Sequence, residues 1–230
     1  PSTTLFRSQK AMDKAILGDA IYVREGIYRE GVDIKQDLVT IMPYNGEKVA
    51  VTGTEFMQTW TLVSGSTYKT TMNWDVDPLY GTNQVFSDGK MLELVRWPDQ
   101  TSADRITPTN AIADGATASG NFFTLIDSDF DEPDGRWVGA TIWVNLSRNG
   151  IDGQGWTGTV TATSASAHSI TVDFRGTPRL KDEPWGIGKN TEYFLFNPTA
   201  SGVNGTGGIN ALLSNGEWWK SGTTLYLKTP

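Results

Sequence analysis

The chain contains no cysteine, a single histidine and no long uninterrupted run of apolar residues. Without cysteine it has no disulfide, no thiol nucleophile and no thiolate metal site. No segment approaches the roughly 18 to 20 apolar residues that cross a bilayer, and no charged-then-apolar signal segment begins the chain. Basic residues are also scarce, with 19 Lys and Arg against 26 Asp and Glu. Since phosphate binding relies on clustered cations, the sequence indicates neither a nucleic-acid nor a membrane partner.

What the chain has in abundance is β-strand signal. Its 230 residues include nine tryptophans and 25 glycines, and a globule of this length buries roughly 70% of its unfolded surface without cross-links. Segments rich in Thr, Val and aromatic residues recur between Gly, Asn and Asp turns. The predicted strands are residues 19–23, 32–34, 38–42, 49–51, 58–64, 67–72, 84–87, 122–126, 141–146, 156–162, 169–174, 193–196, 216–219 and 224–227. These features predict an all-β protein.

Departures from this strand pattern are few. Residues 9–17 have the spacing of a short helix, with Gly18 after its end, and Gly26 is predicted to break the strand before it. Residues 110–120 and 199–208 are rich in small and polar residues and are predicted as mobile loops. Turn signals at Asn149-Gly150, Asp152-Gly153 and Ser221-Gly222 predict a meander-like or Greek-key sandwich or barrel.

Two runs near the start carry a family resemblance. Residues 18–34 (GDAIYVREGIYREGVDI) and 38–53 (LVTIMPYNGEKVAVTG) resemble the opening rungs of bacterial right-handed parallel β-helix proteins of the pectate-lyase-like superfamily. In that superfamily a capping helix precedes the first rung. The resemblance therefore implies a capping helix and first β-helix rungs over residues 9–54.

The remainder resembles a second part of the same superfamily. The segments QVFSDGKM, RWP, GEWW and GTTLYL begin at residues 84, 96, 216 and 222. They are similar to the antiparallel β domain inserted after the early rungs in some polysaccharide-active members, including families with β-xylosidases. The resemblance implies an antiparallel β-sandwich or barrel-like domain over residues 55–230. Members carry their catalytic acids on later rungs, so no catalytic residue is assigned to this chain.

Residues 1–8 do not fit this architecture. They show no turn signal, no helix cap and no hydrophobic periodicity. They resemble the translation of a sequencing adapter, so we interpret them as cloning- or adapter-derived. This interpretation favours a metagenomic origin with the natural N-terminus missing. The resemblance then implies a bacterial protein secreted to the extracellular space, whose signal peptide is not present in this chain.

An acidic run supplies the one candidate metal site. Asp127, Asp129 and Asp131 place carboxylates at alternate positions, an arrangement that suits Ca²⁺. The register departs from an EF-hand loop, which requires Gly at its sixth position and Glu at its twelfth. We therefore favour a solvated acidic turn before the strand near Trp137 and retain calcium as the alternative. No other cofactor is expected.

Catalytic constellations are weak. His168 is predicted at a hairpin tip with no nucleophile elbow elsewhere in the chain, which argues against a histidine-dependent triad. Glycoside hydrolysis needs two acids about 5 to 10 Å apart, and the pairs Glu25 with Glu30 and Asp182 with Glu183 are candidates. We interpret these as turn charges, and expect Glu25 and Glu30 to pair with Arg24 and Arg29.

Tryptophan gives the best functional lead. An indole packs on the C–H face of a sugar while neighbouring polar groups bind its hydroxyls, although most of the nine are expected in the core. Adjacent strand residues point to opposite faces, so one of Trp218 and Trp219 is expected to be buried and the other exposed or covered by a neighbouring domain. The predicted carbohydrate-binding residues are Trp97, Trp156, Trp185, Trp219 and Arg96.

The leading hypothesis is a carbohydrate-binding module or accessory region of an extracellular polysaccharide-degrading protein. Xylan or β-glucan is favoured over uronate polymers, which the net charge of −7 repels. The alternative is the N-terminal part of a β-helix glycoside hydrolase or polysaccharide lyase with catalytic rungs beyond residue 230, and hydrolysis is favoured over lysis. A structural protein without glycan affinity is a third possibility. An open β-helix end predicts dimerisation or a partner domain.

Overall fold

The structure is a computed structural model that describes residues 8–72, 83–101, 108–145, 155–174, 187–199 and 206–229. It is mostly β-structure with very little helix, as predicted. The chain divides into two compact units, Pro1–Gln58 and Thr59–Pro230. No helix in these described ranges has the length and apolarity needed to cross a membrane.

The first unit contains two parallel strand pairs. Its elements are α1 (Ser8–Met12), β1 (Ala20–Val23), β2 (Gly26–Arg29), β3 (Thr40–Pro43), a 3-10 turn (Tyr44–Gly46) and β4 (Val49–Thr52). Strand β1 pairs in parallel with β3, and β2 with β4. Each pair therefore joins strands that lie about 20 residues apart in the sequence, with Ala20 opposite Thr40 and Gly26 opposite Val49.

Side-chain hydrogen bonds explain two errors of prediction in this unit. The helix predicted over residues 9–17 ends at Met12, and further on the Ile16 N–H donates to the Asp19 carboxylate (2.9 Å). Residues 32–34 form no strand, since the Asp33 N–H donates to the Gln9 amide oxygen (2.7 Å) instead of to a neighbouring strand. In both places a polar side chain accepts a backbone N–H that regular structure would otherwise use.

Strand β1 ends at Val23, so the predicted break before Gly26 is confirmed, and Gly26 begins the next strand. Its φ of +154° is open to glycine but not to other residues, and its N–H donates to the Lys48 carbonyl (3.2 Å). Strand β2 follows from this residue and was missed in the sequence. The glycine that marks a break in the pattern is thus the residue that lets the chain enter the next strand.

The second unit contains fifteen strands in its described part, arranged in three sheets. The strands are β5 (Thr61–Ser64), β6 (Thr67–Thr71), β7 (Phe86–Ser87), β8 (Lys90–Met91), β9 (Glu93–Leu94), β10 (Arg96–Trp97), β11 (Ala111–Ile112), β12 (Gly115–Ser119), β13 (Phe122–Ile126), β14 (Thr141–Asn145), β15 (Gly155–Ser164), β16 (Ser169–Asp173), β17 (Glu192–Phe196), β18 (Glu217–Ser221) and β19 (Thr224–Lys228), with a 3-10 turn at Gly208–Ala211. The three sheets have eight, five and two strands.

The eight-stranded sheet has the order β10-β17-β14-β15-β16-β13-β12, with β11 also paired to β17. Its pairs are antiparallel, and its terminal strands β10 and β12 are not paired with each other in the described residues, so the sheet is open. The five-stranded sheet has the order β5-β6-β19-β18-β9, and its β18–β9 pair is parallel. The smallest sheet is the β7–β8 hairpin.

Alternation along the strands of the large sheet builds the core. On β13, β14, β16 and β17 every second residue is buried, and the buried set is Phe123, Leu125, Ile142, Val144, Ile170, Val172, Tyr193 and Leu195. Each fully buried apolar side chain contributes about 1.5 to 3 kcal/mol. The intervening residues face away from this core, and that outer face carries the candidate site.

Two predictions of loop and turn structure have different outcomes. Residues 110–120, predicted as a loop, contain β11 and β12, because pairing with β17 and β13 overrides the poor strand propensity of Ala, Ser and Gly. The turn at Ser221-Gly222 joins β18 to β19 and is confirmed. The turns at Asn149-Gly150 and Asp152-Gly153, and residues 200–205 of the second predicted loop, lie outside the described residues.

Val95 links the two larger sheets. Val95 stands between β9 of the five-stranded sheet and β10 of the eight-stranded sheet. Its N–H donates to the Trp218 carbonyl (2.8 Å), and its carbonyl accepts from the Asn197 N–H (3.3 Å). Val95 is completely buried. Residues 93–97 are therefore held by both sheets, which places Arg96 and Trp97 at their junction.

Candidate functional site

Three aromatic side chains form a group on the outer face of the eight-stranded sheet. We call Trp143, Phe194 and Phe196 the aromatic face. Trp143 on β14 lies opposite Phe194 on β17, and their rings stack with centroids 5.4 Å apart and planes 28° apart. The Phe196 ring centroid lies 5.4 Å from that of Phe194. All three side chains are half-buried, so the group retains surface that a ligand can contact.

Arg96 borders the aromatic face. Its guanidinium carbon lies 4.3 Å from the centroid of Phe194, a cation–π contact. The side chain is only 7% exposed and also donates to the carbonyl oxygen of Thr109. Burial lowers the pKa of Arg96, and the charges of Glu93 and Asp99 oppose that shift. Arg96, which the sequence suggested as a ligand contact, lies at the edge of the aromatic face.

Hydrogen-bonding side chains lie beside the rings. Asn145 is opposite Glu192 at the next outward-facing position of β14 and β17, with 3.4 Å between the amide nitrogen and the carboxylate. Thr157 is opposite Trp143 on β15 and is exposed, as is Glu192. A ring surface with an amide, a hydroxyl and a carboxylate around it can stack on an apolar ligand face and bind its hydroxyl groups. Sequence reasoning missed this set.

A buried acid lies behind Arg96. Glu217 is 3% exposed, and one carboxylate oxygen accepts from the N–H groups of Leu213 (3.0 Å) and Ser214 (2.9 Å). Burial raises the pKa of Glu217 to about 7, and the charge of Asp99 adds to this shift. The backbone N–H groups of Ser214 and Arg96 donate to the carboxylate and lower the pKa. The Ser214 hydroxyl donates to Asp99. The arrangement is that of a positioning residue, since a side chain this buried does not reach an external ligand.

The predicted tryptophans are distributed between surface and core. Trp218 and Trp219 are both buried, at 2% and 3% exposure, so of the two predicted alternatives for the second ring, exposed or covered, exposure is excluded. The Trp219 indole N–H donates to the Pro198 carbonyl (2.8 Å) inside the core, which leaves no open ring face for a sugar. Trp156 and Trp97 are half-buried and pack against the core. Trp185 lies outside the described residues.

Trp97 packs against other aromatic rings. It lies edge-on to Phe130, with centroids 5.0 Å apart, and 5.9 Å from the Tyr193 ring. These contacts are on the core side of the sheet, because Trp97 pairs with buried Leu195. Of the residues predicted to bind carbohydrate, Arg96 alone adjoins the aromatic face among those that the structure describes.

The acidic run shows no metal geometry. One Asp127 oxygen accepts from the Tyr193 hydroxyl (2.7 Å) and the other from the Asp129 N–H (3.0 Å), and Asp127 is 3% exposed. Asp129 and Asp131 are exposed. No group of three or more potential metal-ligating side chains converges within the described residues. Calcium binding at these positions stays a prediction.

The other titratable candidates have structural partners. His168 is exposed in the turn between β15 and β16, as expected, and its Nδ1 lies 2.9 Å from the Phe130 carbonyl oxygen. Arg24 pairs with Glu47 (2.9 Å) and not with Glu25, whose N–H also donates to Glu47.

The contacts of Arg29 and Glu30 also differ from those predicted. The Arg29 guanidinium donates to the Thr54 hydroxyl (2.8 Å), and Glu30 accepts from the Ser8 hydroxyl (2.7 Å). The predicted pairing of Glu25 and Glu30 with Arg24 and Arg29 is therefore replaced by contacts to other residues. Asp182 and Glu183 lie outside the described residues.

Comparison with known proteins gives one informative likeness. No protein-family model matches the chain, and no curated protein matches it. A solved structure titled "Glycoside hydrolase" is similar over 97% of this chain, with a TM-score of 0.57 and 15% sequence identity. This chain spans 38% of that structure's length. At this identity the likeness is one of fold.

Proposed function

We propose that this chain is a carbohydrate-binding accessory region of an extracellular polysaccharide-degrading protein, and that the aromatic face is its binding surface. The observation that carries the proposal is the stacked pair of Trp143 and Phe194, half-exposed on the outer face of the sheet. Sugar rings present an apolar C–H face to such rings. The fold shared with a structure titled as a glycoside hydrolase supports a carbohydrate-related role.

The ligand class follows from charge and chemistry. Glu192 is exposed beside the rings, and the chain carries a net charge of −7. Both repel the carboxylates of uronate polymers. The exposed hydroxyl of Thr157 and the amide of Asn145 are suited to uncharged hydroxyl groups. We therefore propose a neutral plant cell-wall polysaccharide or oligosaccharide, such as xylan or β-glucan, as the ligand.

The first unit belongs to the same proposal. The parallel pairs β1–β3 and β2–β4 repeat after about 20 residues of chain, the arrangement of two stacked rungs of a parallel β-helix. Apolar side chains on these strands stay exposed, among them Ile27 (66%) and Val51 (50%). We propose that they are the first rungs of such a helix, covered by a second copy, a partner domain or further chain.

A second candidate function has its own support. The chain matches 38% of a structure titled "Glycoside hydrolase", a proportion expected if it is one part of a longer enzyme. In this alternative it is the N-terminal part of a β-helix hydrolase or lyase, and the catalytic rungs follow residue 230. Hydrolysis is favoured over lysis, because a pair of carboxylates is sufficient to catalyse it.

Binding and cleavage are measured together to separate these functions. Affinity electrophoresis against xylan, mixed-linkage glucan, mannan and polygalacturonate, with release of reducing sugar followed in the same samples, is the first experiment. We expect retardation by a neutral glycan without sugar release, and about tenfold weaker binding for Trp143→Ala, equivalent to about 1.4 kcal/mol.

Phe56→Ala is the matched control, since Phe56 is an aromatic residue of the first unit that is 67% exposed. It should bind as the unmodified chain does. Equal retardation of the Trp143→Ala variant and the unmodified chain would overturn the proposal. Release of sugar by this chain alone would favour the enzymatic alternative.

A further inference from the structure

A straight row of side chains crosses the eight-stranded sheet and begins at the aromatic face. Successive strand pairings place Phe196 opposite Thr141, Thr141 opposite Thr159, Thr159 opposite Asp173, and Asp173 opposite Phe122. The residues belong to β17, β14, β15, β16 and β13, which are adjacent in that order. With neighbouring strands 4.7 to 4.9 Å apart, the row spans roughly 19 Å.

The row lies on the outer face throughout. The chain neighbours of its members point the other way: Leu195, Val160 and Phe123 are all buried in the core. Phe122 is 46% exposed, and Phe196, Thr141, Thr159 and Asp173 are half-buried. A ligand on this face therefore meets an aromatic ring at each end.

The row places hydroxyl and carboxylate groups between two aromatic rings, and this pattern fits one kind of ligand. Hydroxyl groups of Thr141 and Thr159 lie between the two phenyl rings, and the Asp173 carboxylate lies next to Phe122. Rings stack on the C–H faces of sugars, and hydroxyl and carboxylate oxygens bind sugar hydroxyls. The carboxylate also disfavours an anionic ligand.

We propose that this row extends the aromatic face into an elongated site, in which a linear neutral polysaccharide lies across the strands and contacts Phe122 with sugars distant from Trp143. This inference rests on the carbohydrate-binding function proposed above. It adds a ligand class, long unbranched chains over mono- and disaccharides, and a second contact point on β13, three strands from Trp143 on β14. Affinity must then rise with chain length until the ligand reaches Phe122.

Calorimetric titration with ligands of two lengths tests this inference. The probes are xylobiose, xylohexaose, cellobiose and cellohexaose. We expect one series to bind with at least about tenfold higher affinity for the hexasaccharide than for the disaccharide. Phe122→Ala should lower the affinity for the hexasaccharide several-fold and leave that for the disaccharide unchanged, because only the longer ligand reaches this ring.

The matched control is Ile126→Ala. Ile126 lies on the same strand and the same outer face as Phe122, is 37% exposed and pairs outside the row, with Ser169. It should affect neither ligand, and near-identical thermal unfolding of both variants confirms that the sheet is intact.

The two proposals fail in different ways. Unchanged hexasaccharide affinity in Phe122→Ala, combined with weaker binding of both lengths in Trp143→Ala, overturns the elongated site and keeps the aromatic face. No effect of Trp143→Ala on either length, or no binding of either series, overturns both.

Discussion

The Trp143 indole lies over Gly155 of the neighbouring strand so closely that a Cβ atom on residue 155 would stand 2.3 Å from the indole nitrogen. Real Cβ atoms do not approach other atoms to that distance, so a larger residue at position 155 would force the indole to move. The same indole stacks on Phe194 of β17, the strand on the other side of β14. Gly155 therefore leaves the space that the main ring of the proposed site occupies.

Gly155→Ala should displace the Trp143 ring and weaken glycan binding by about tenfold, or about 1.4 kcal/mol. Its matched control is Gly115→Ala on β12, where an added Cβ meets no atom within 4 Å. Calorimetry of both variants with the same glycan checks the prediction. Affinities that stay equal in the two variants would show that the ring orientation is unimportant for binding.

The buried carboxyl of Glu217 should make stability depend on pH. Its pKa is raised from 4.5 to about 7, so the folded state binds the proton more tightly than the unfolded state. The stabilisation is complete below about pH 4.5 and is lost as pH rises through 7; it amounts to roughly 3 kcal/mol. We expect the free energy of unfolding of the unmodified chain, relative to that of Glu217→Gln, to fall over this range.

Urea denaturation at intervals between pH 4.5 and 8 measures that difference. Glu192→Gln is the control for removing an exposed carboxylate, which here lies on the eight-stranded sheet. A difference for Glu217→Gln that is constant across the range would contradict the assignment of the titrating group.

The Tyr193 hydroxyl supports the buried Asp127 carboxylate. It donates to that carboxylate at 2.7 Å, and burial raises the pKa of Tyr193, so the hydroxyl keeps its proton. Tyr193→Phe leaves a buried acceptor without this donor and should cost about 1 to 3 kcal/mol of unfolding free energy. A double-mutant cycle with Asp127→Asn, followed by urea denaturation, isolates the coupling; strictly additive effects would rule the interaction out as a source of stability.

Truncating a core side chain of the second unit should lower its stability more than truncating an exposed one. Leu125 is completely buried, so Leu125→Ala should destabilise the fold by about 2 to 5 kcal/mol through lost burial and a cavity. Leu62 is 56% exposed, and Leu62→Ala should change stability by no more than about 0.5 kcal/mol. Denaturant titration compares the two variants. Equal losses would mean that Leu125 is not at the centre of the core.

Sequence alone predicts strands well where alternation is strong. Residues 122–126 were predicted with the observed bounds, since Phe, Thr, Leu and Ile favour strands. Residues 115–119, with the sequence GATAS, carry no such signal and become a strand because β13 offers them five consecutive pairing positions. Local propensity is therefore sufficient in the first case, and pairing with a distant segment decides the second.

The candidate site was not predictable to the same degree. The alternation in TIWVN and EYFLF identifies Trp143 and Phe194 as outward-facing if their neighbours are taken as core, a signal that was available in the sequence. That they lie opposite each other, 51 residues apart in the chain, follows only from strand order. Trp219 gives an opposite example. It and the adjacent Trp218 point to opposite faces of β18, and both are buried.

The position of Val95 has a consequence for how the second unit loses its structure. Its amide donates to one sheet and its carbonyl accepts from the other. If either sheet frays locally, the other sheet therefore still holds this residue. The Val95 N–H is buried and donates to the Trp218 carbonyl, so its exchange with solvent should be among the slowest in the unit.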